Sequence, residues 1–220
     1  IPLDDAAAGA PSHSIHLKPL AEDALSLPVR TGKARVIGIE PASLVTKSLV
    51  REVKTDDAGC FQSALNPGLT KIAVIERHKR TGKLGIGILE GYGLTGGAIA
   101  TTISHDSHNI VVAGDNDPDM LLAVRELADM GGGIVSVHGG AIRRLPLPIA
   151  GLMTSADPQE VNAVLHDMLV AARAELGIPE DVEPFMTLSF MALPVIPELK
   201  LTARGLFNVN TFSFVGVEAD

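Results

Sequence analysis

A long series of short apolar segments separated by turns constrains the fold of this chain more than any other feature. From residue 14 to residue 114 the segments are rich in Val and Ile, and Gly, Pro, Asn or Asp lies between them. Segments of this kind predict β-strands, here at residues 14–20, 34–40, 43–54, 69–78, 84–93, 96–104 and 109–114. Because strands joined by short turns pair antiparallel, the series indicates a mostly antiparallel sheet.

Helical patterns appear only after this series of strands. The stretch "DPDMLLAVRELADMGGG" begins with Asp117 as the predicted N-cap, continues with Pro at the first helical position and stops at three glycines. A second stretch, "ADPQEVNAVLHDMLVAARAELG", repeats this start at Asp157. Since the strands come in runs and the helices come late, the predicted fold class is α+β, or mixed α/β: a mostly antiparallel sheet covered by a few helices.

Composition excludes several classes of protein. Of the 220 residues, 46% are hydrophobic and 20% are charged, which is typical of a folded globular protein. The formal net charge of −8 argues against nucleic acid as a partner, because affinity for phosphates requires basic residues. Gly and Pro interrupt the long apolar runs, so no membrane span is predicted. The single cysteine, Cys60, fits a reducing compartment, and we expect the cytoplasm.

The first fourteen residues, "IPLDDAAAGAPSHS", have the composition of a linker. They contain neither an initiator Met nor a signal-peptide pattern. We therefore expect residues 1–14 to connect to an upstream domain and residues 15–220 to form a folded domain, as a piece of a longer polypeptide. A trimmed start is the alternative.

The stretch "ISHDSHNIVVAGDN" is denser in reactive side chains than any other, with His105, Asp106 and His108 in four consecutive residues, which we name the HDSH loop. Two histidines three residues apart could bind one metal ion, with Asp106 as a third ligand or a general base. However, alternation along a strand would place the two histidines on opposite faces. The alternatives are a polar turn that caps backbone groups, and a loop that projects His and Asp into a pocket built largely by something else.

Two further stretches have more than one interpretation. In "IERHKRTGKLG", Glu76 and Arg77 end a predicted strand, and they belong either to a solvated charged hairpin or to a contact with a substrate or another domain. The stretch "GIGILEGYGLTGGA" lacks the strand–GxGxxG–helix order of a dinucleotide site and has no GK[ST] motif, so tight strand packing is the better interpretation of its glycines.

Several blocks of the sequence resemble the C-terminal domain of bacterial adenine deaminases. The longest is "VIERHKRTGKLGIGILEGYGLTGGAIATTISHDSHNIVVAGDND", and the others are "MGGGIVSV", "LPLPIAGLM" and "PFMTLSFMALPVIPELKLTARGL". The stretch "IHLKPLAEDALSLP" resembles the segment that leads into that domain. The blocks occur in the family's order and extend from about residue 15 to residue 215.

The resemblance implies hydrolytic deamination of adenine to hypoxanthine and ammonia in purine salvage, by a member of the amidohydrolase superfamily. In such enzymes a preceding (β/α)₈ barrel carries a divalent metal (Mn, Fe or Zn) that activates the attacking water, and carboxylates move the protons. This sequence contains no barrel and no metal-binding HxH motif. We therefore expect no metal in this chain alone and no deamination without the barrel, and we expect the barrel and adenine as its partners.

The resemblance also makes the HDSH loop a candidate lid or wall of the barrel's active site. We expect His105, Asp106 and His108 to act there as catalytic residues. Ser107 and Asn109 are expected to hold the loop or to hydrogen-bond the purine edge.

Glu76 and Arg77 are further candidates for substrate binding. Two other functions stay open. The chain could belong to an aminohydrolase for another purine, since specificity depends on barrel residues. It could also be a structural or oligomerisation domain without active-site residues, because Val and Ile strands with few aromatic residues would suit the interface of a homo-oligomer.

Overall fold

The computed structural model describes residues 14–219, most of which are organised around an eight-stranded sheet. Its strands are β1 (Lys33–Ile39), β2 (Thr46–Glu52), β3 (Leu69–Ile75), β4 (Leu84–Glu90), β5 (Gly97–Thr101), β6 (Ile110–Gly114), β7 (Gly133–His138) and β8 (Ala141–Pro146). The described part of the chain also forms helices α1 (Asp117–Asp129), α2 (Pro158–Ala174) and α3 (Pro184–Phe190), a short 3₁₀ helix (Ser63–Leu65), and a small sheet of β9 (Leu199–Thr202), β10 (Gly205–Asn208) and β11 (Ser213–Phe214).

The large sheet has the strand order β2-β1-β4-β3-β6-β5-β7-β8. β1 and β4 pair in parallel, and the other neighbouring strands pair antiparallel. The strands predicted at residues 69–78 and 84–93 form an antiparallel hairpin, with Ile75 opposite Leu84. On the other side of β3, Ile75 lies opposite Ile110 of β6. This register places the residues after β3 beside the loop that precedes β6. The mostly antiparallel sheet together with helices α1, α2 and α3 confirms the predicted α+β class.

Both faces of the large sheet are covered, which explains why its central strands are apolar throughout rather than alternating. α1 covers one face, where Met120, Val124 and Leu127 join a buried cluster with residues of β3, β5, β6 and β7. α2, α3 and the small sheet cover the other face, where Leu188 of α3 and Leu201 of β9 join a second buried cluster.

The helices start at capping side chains, although not always at the predicted one. Asp117 is wrong as the N-cap of α1: Asn116 has this role, and its Oδ1 accepts from the Asp119 N–H at 2.9 Å. Asp117 is instead the first helical residue, and it pairs with the buried Lys71 of β3. Asp157 caps α2 as predicted. No helix within residues 14–219 has both the length and the hydropathy needed to cross a bilayer.

The edge strand predicted at residues 14–20 is wrong. This segment runs along the end of the β3–β4 hairpin, where the His16 N–H donates to Arg77 O at 2.6 Å and Leu17 O accepts from Arg80 Nε at 3.2 Å. Its partners belong to a turn, and Pro19 has no N–H to donate, so no strand ladder forms. Residues 1–13 of the predicted linker lie outside the described residues.

Gly85 allows the small sheet to approach β4 closely. A Cβ atom at this position would lie 2.1 Å from Thr202 O and 2.9 Å from Gly205 N. Both are backbone atoms, so any side chain at position 85 would push β9 and β10 away from β4. This glycine therefore serves strand packing, as predicted for its stretch.

Candidate functional site

The HDSH loop connects β5 to β6, and residues 105–107 form a turn. The loop closes on itself, because the His108 N–H donates to Ser104 O at 2.5 Å and the Ser104 N–H donates to His108 Nδ1 at 3.3 Å. The ring centroids of His105 and His108 lie 5.7 Å apart. The expectation that strand alternation would separate the two rings is wrong, because these residues form a turn instead of continuing a strand.

Arg77 holds the HDSH loop from inside the protein. Its side chain is 1% exposed, and its guanidinium donates to the main-chain oxygens of His108, Ser14 and Ala150 and to the Ser14 hydroxyl. No carboxylate in residues 14–219 forms an ion pair with it. Burial of the cation lowers the pKa of Arg77. A buried charge is costly without hydrogen bonds. Arg77 therefore strongly favours the conformation in which the segments of Ser14, His108 and Ala150 meet around its guanidinium.

Glu76 shapes the turn that follows β3. Its Oε1 accepts from the N–H groups of His78 and Lys79 at 2.6 and 2.7 Å, and its Oε2 accepts from the N–H and hydroxyl of Thr81 at 3.0 and 2.7 Å. Partial burial acts to raise the pKa of Glu76, but these four hydrogen bonds together lower it to about 2. The turn in turn contacts the HDSH loop, since His78 Nε2 lies 2.8 Å from Ser107 O.

Helix α3 contacts the HDSH loop through His105. The His105 N–H donates to Ser189 O at 3.0 Å, and the imidazole lies 4.6 Å from the Phe190 ring, measured between centroids. The start of α3 is itself held by the buried Tyr92, whose hydroxyl donates to Pro184 O at 2.9 Å. Packing against Phe190 restricts the His105 side chain, so the orientation of this imidazole depends on α3.

The tip of the loop presents polar groups to the outside. The side chains of Asp106 and Ser107 are exposed, and His108 is half-buried. Burial, followed by the nearby charges of His105 and Arg77, lowers the pKa of His108 and favours its neutral form. Because His108 Nδ1 accepts from the Ser104 N–H, this hydrogen-bond pattern assigns the proton of the neutral ring to Nε2. The loop therefore offers a carboxylate acceptor beside an imidazole N–H donor.

Two cavities lie beside the loop. One, of about 600 Å³, is lined by Asp106, Ser107 and Asn109 together with a group of apolar residues from the C-terminal part of the chain. The other, of about 480 Å³, is lined by His105 and by residues of α3. Asn109 is 9% exposed, and its Oδ1 has no hydrogen-bond partner among the described residues. The first cavity therefore combines an apolar wall with several polar groups.

The described residues do not form a metal site. Across residues 14–219, no three side chains of His, Cys, Asp or Glu come together in a way that could hold a metal ion. The Nδ1 atom of His108 already accepts a hydrogen bond within the loop, so it is not free to bind a metal. The donor groups in the described part of the chain therefore do not fit the divalent metal that the resemblance implies.

Comparison with known proteins agrees with the resemblance. Residues 43–213 match the family described as adenine deaminase C-terminal domain. The chain belongs to this family. The adenine deaminase of Nitratidesulfovibrio vulgaris (strain Hildenborough) is 56% identical over 218 residues, which make up 99% of this chain and 38% of that protein.

Two other similar proteins are also much longer than the part that matches this chain. Adenine deaminase 2 of Carboxydothermus hydrogenoformans is 46% identical over 98% of this chain and 37% of its own length. The adenine deaminase of Clostridium acetobutylicum is 44% identical over 93% of this chain and 36% of its own length. The chain thus spans little more than a third of the relatives that it matches.

The site residues predicted for this adenine deaminase C-terminal domain all lie in one region. Pairing of β3 with β6 brings the residues after Ile75 beside those before Ile110. The side chains of Glu76 and Arg77 are engaged in hydrogen bonds within the domain, and this geometry favours a positioning role for both. The region contains all seven predicted residues: Glu76, Arg77, His105, Asp106, Ser107, His108 and Asn109.

Sequence reasoning missed the aromatic residues of the region. Phe190 packs on His105, and Phe212 and Phe214 line the 600 Å³ cavity. A signal was present, because three of the six phenylalanines occur within residues 207–214 in a chain that has only 3% aromatic residues. The contribution of Ala150, whose carbonyl oxygen binds Arg77, has no signal of this kind.

Proposed function

We propose that this domain forms part of the active site of an adenine deaminase, which hydrolyses adenine to hypoxanthine and ammonia in purine salvage in the cytoplasm. Its relatives bear that name, and they are more than twice as long as the part that matches this chain. We assign the remainder of such a protein to a preceding (β/α)₈ barrel, joined through residues 1–14 to the domain formed by residues 15–220. A divalent metal held by that barrel, Mn, Fe or Zn, would supply the activated water.

The observation that carries this proposal is the pair of contacts made by Arg77. One end of its guanidinium holds Ser14, the first described residue, and Nε holds the main-chain oxygen of His108. The chain that leads into this domain would therefore enter beside the HDSH loop, and a barrel connected through it would lie within reach of that loop. Since barrel active sites lie at one end of the barrel and are completed by loops, this loop is well placed to cover such a site.

The polar groups of the loop suit the edge of an adenine ring. The Asp106 carboxylate would accept a hydrogen bond from the 6-amino group, and the His108 Nε2–H would donate one to a ring nitrogen. Ser107 and Asn109 would contact the same edge or hold the loop. His105 would form the wall together with Phe190, on which it packs.

Substitution of Asp106 in the full-length enzyme tests this function most sharply. Asp106→Asn keeps the shape of an exposed side chain and removes its charge, so stability should change by less than about 0.5 kcal/mol. Loss of a hydrogen bond to a charged group should cost about 1.5–3 kcal/mol. We therefore expect kcat/KM for adenine to fall about ten- to a hundredfold.

The matched control is Asp57→Asn, which removes the charge of another exposed aspartate outside this region. Its kcat/KM should equal that of the wild type. His105→Ala should also lower kcat/KM, but it removes the contact with Phe190 and can lower stability as well. Wild-type kinetics for Asp106→Asn would show that the HDSH loop is not part of the active site.

Two other functions predict different results. A structural or oligomerisation domain without active-site residues predicts that every substitution in the HDSH loop leaves the kinetics of the folded enzyme unchanged. An aminohydrolase for another purine predicts a fall in activity with that purine and little turnover of adenine by the wild type. The assembly of the full-length protein as a homo-oligomer is a separate proposal, which its mass in solution tests.

A further inference from the structure

Two phenylalanine rings, those of Phe212 and Phe214, pack edge-to-face against the ring of Phe207 in β10. The ring of Phe207 lies 5.2 Å, centroid to centroid, from the rings of both Phe212 and Phe214. Phe212 is 76% exposed and Phe214 is 43% exposed, and Val195, which lines the same cavity, is 65% exposed. We name Val195, Phe207, Phe212 and Phe214 the Phe212 surface.

Such exposure is unusual among the aromatic residues of this domain. Phe61 and Tyr92 are fully buried, and Phe185 is nearly so. Contiguous exposed apolar side chains commonly mark interaction sites, and Phe and Tyr are enriched at protein–protein interfaces. The Phe212 surface therefore has the features of an interface that is buried in the full-length protein.

This surface is continuous with the HDSH loop. Asp106, Ser107 and Asn109 line the same cavity of about 600 Å³ as the Phe212 surface. A molecule large enough to lie over the tip of the HDSH loop would therefore also contact Phe212. Helix α3 adds Met186, which is 56% exposed, near the cavity beside His105.

The chain leading into the domain runs along the turn that borders this cavity. His16 and Leu17 hydrogen-bond to the β3–β4 turn, and Glu76 and Lys83 of that turn line the cavity. Thirteen residues precede Ser14, and thirteen extended residues reach about 45 Å at most. The chain spans 38% of the adenine deaminase of N. vulgaris and belongs to a C-terminal domain family, so most of such a protein would precede Ser14.

Charge restricts the partner further. The charged side chains that line the cavity are Glu76, Lys83, Asp106 and Arg204. The Glu76 carboxylate already accepts four hydrogen bonds within its own turn, and the Arg204 guanidinium lies 4.6 Å from the centre of the Phe214 ring. Neither cation forms an ion pair with another residue in the described part of the chain. A complementary partner would present an apolar segment together with a carboxylate.

We propose that the Phe212 surface is the docking site of the domain that precedes this one in the full-length protein, through an apolar segment flanked by a carboxylate that pairs with Lys83 or Arg204. This proposal rests on the proposed function, because it takes the preceding catalytic domain to be the occupant. The same contact would hold that domain over the HDSH loop.

Hydroxyl-radical footprinting of the full-length protein tests the docking directly. The oxidation rates of Phe212 and of the buried Phe61 are each normalised to the rate of the same residue in the unfolded protein. We expect Phe212 to be protected as strongly as Phe61, although it is exposed in this domain. Oxidation of Phe212 at the rate seen in the unfolded protein overturns the proposal. Protection that disappears when the protein is diluted until it is monomeric also overturns the proposal, because a second copy of the protein then covers the Phe212 surface.

A variant of the full-length protein provides the second test. Phe212→Asp places a charge in the proposed interface but should not unfold this domain, because the side chain is mostly exposed. We expect increased oxidation of Phe214 and separate thermal unfolding of the two domains, where the wild type unfolds in one transition. Leu65→Asp, at another exposed apolar position away from the cavity, is the control and should behave as the wild type does. Unchanged protection and a single transition for Phe212→Asp contradict the proposal.

The two proposals can fail separately. If Asp106→Asn impairs catalysis while Phe212 is fully reactive, the loop belongs to the active site and the domains dock elsewhere. If Phe212 is protected while Asp106→Asn has wild-type kinetics, the docking surface stands and the catalytic role of the loop does not.

Discussion

The buried guanidinium of Arg77 donates through Nε to the main-chain oxygen of His108, and this contact joins the β3–β4 turn to the HDSH loop. The same side chain binds Ser14 and Ala150, so the HDSH loop, the start of the domain and the segment after β8 share one hydrogen-bond donor group. The loop is therefore held by its backbone, which leaves the side chains of Asp106 and Ser107 available to another molecule.

Arg77→Met should destabilise the domain by about 3 kcal/mol, because each buried acceptor left without a partner costs about 1–3 kcal/mol. Arg77→Lys should also destabilise it, since a lysine cannot donate in the three directions that the guanidinium covers. Urea unfolding measures both. The exposed Arg125→Met should change stability by less than about 0.5 kcal/mol. Equal stability of Arg77→Met and the wild type would contradict this account.

The carboxylate of Glu76 should make stability depend on pH in the acid range. Its pKa is about 2 in the folded protein and 4.5 in an unperturbed glutamate. Since the folded pKa is the lower one, the stabilisation is complete above pH 4.5 and is lost as the pH falls towards about 2. Wild type should therefore be more stable than Glu76→Gln at neutral pH, and the difference should shrink in this window.

Denaturant unfolding of the wild type and of Glu76→Gln, at pH values from neutral down to about 2, measures the effect of Glu76. Glu22→Gln removes an exposed carboxylate outside this turn, and it should change stability by less than about 0.5 kcal/mol. A difference between wild type and Glu76→Gln that stays constant across the acid range would show that the hydrogen-bonded turn does not lower the pKa of Glu76.

The buried ion pair between Lys71 and Asp117 predicts unequal effects of removing its two partners. The distance between Lys71 Nζ and Asp117 Oδ1 is 2.5 Å, and the lysine side chain is 3% exposed while the aspartate is 22% exposed. Asp117→Asn leaves a buried ammonium without its counter-charge, which should cost about 3–5 kcal/mol. Lys71→Met should cost less, because water can still reach the carboxylate.

Urea unfolding of the two single variants and the double variant decides the Lys71 and Asp117 prediction. The double variant should be more stable than Asp117→Asn alone, because it no longer buries an unpaired charge. The exposed Asp129→Asn is the control for charge removal on α1. A larger loss for Lys71→Met than for Asp117→Asn would contradict the prediction.

The purified chain of residues 1–220 should bind no stoichiometric divalent metal. The described residues bring no three metal-binding side chains together, and the Nδ1 atom of His108 is engaged within its own loop. Elemental analysis after incubation with Mn, Fe or Zn and gel filtration measures the content. One tightly held equivalent would make His105 and His108 ligands and would contradict the assignment of the metal to a preceding barrel.

Local patterns were sufficient to predict most of the elements. The hairpin of β3 and β4, the turn at three glycines after α1 and the cap of α2 at Asp157 depend on neighbours in sequence, so turn residues and side-chain periods predict them. The predictions failed where a distant partner competed. The segment 14–20 has a strand pattern, but its backbone binds a turn more than sixty residues away.

The sequence by itself determined the α+β class, the family, and the concentration of chemistry in the HDSH loop. Only the tertiary structure decided that Arg77 is buried, that His105 and His108 lie on one turn, and that an aromatic surface adjoins the loop. The partners of Arg77 are 31, 63 and 73 residues away along the chain. No local pattern encodes contacts at such separations, because they exist only once the chain has folded, and the contact with His108 depends on the pairing of β3 with β6.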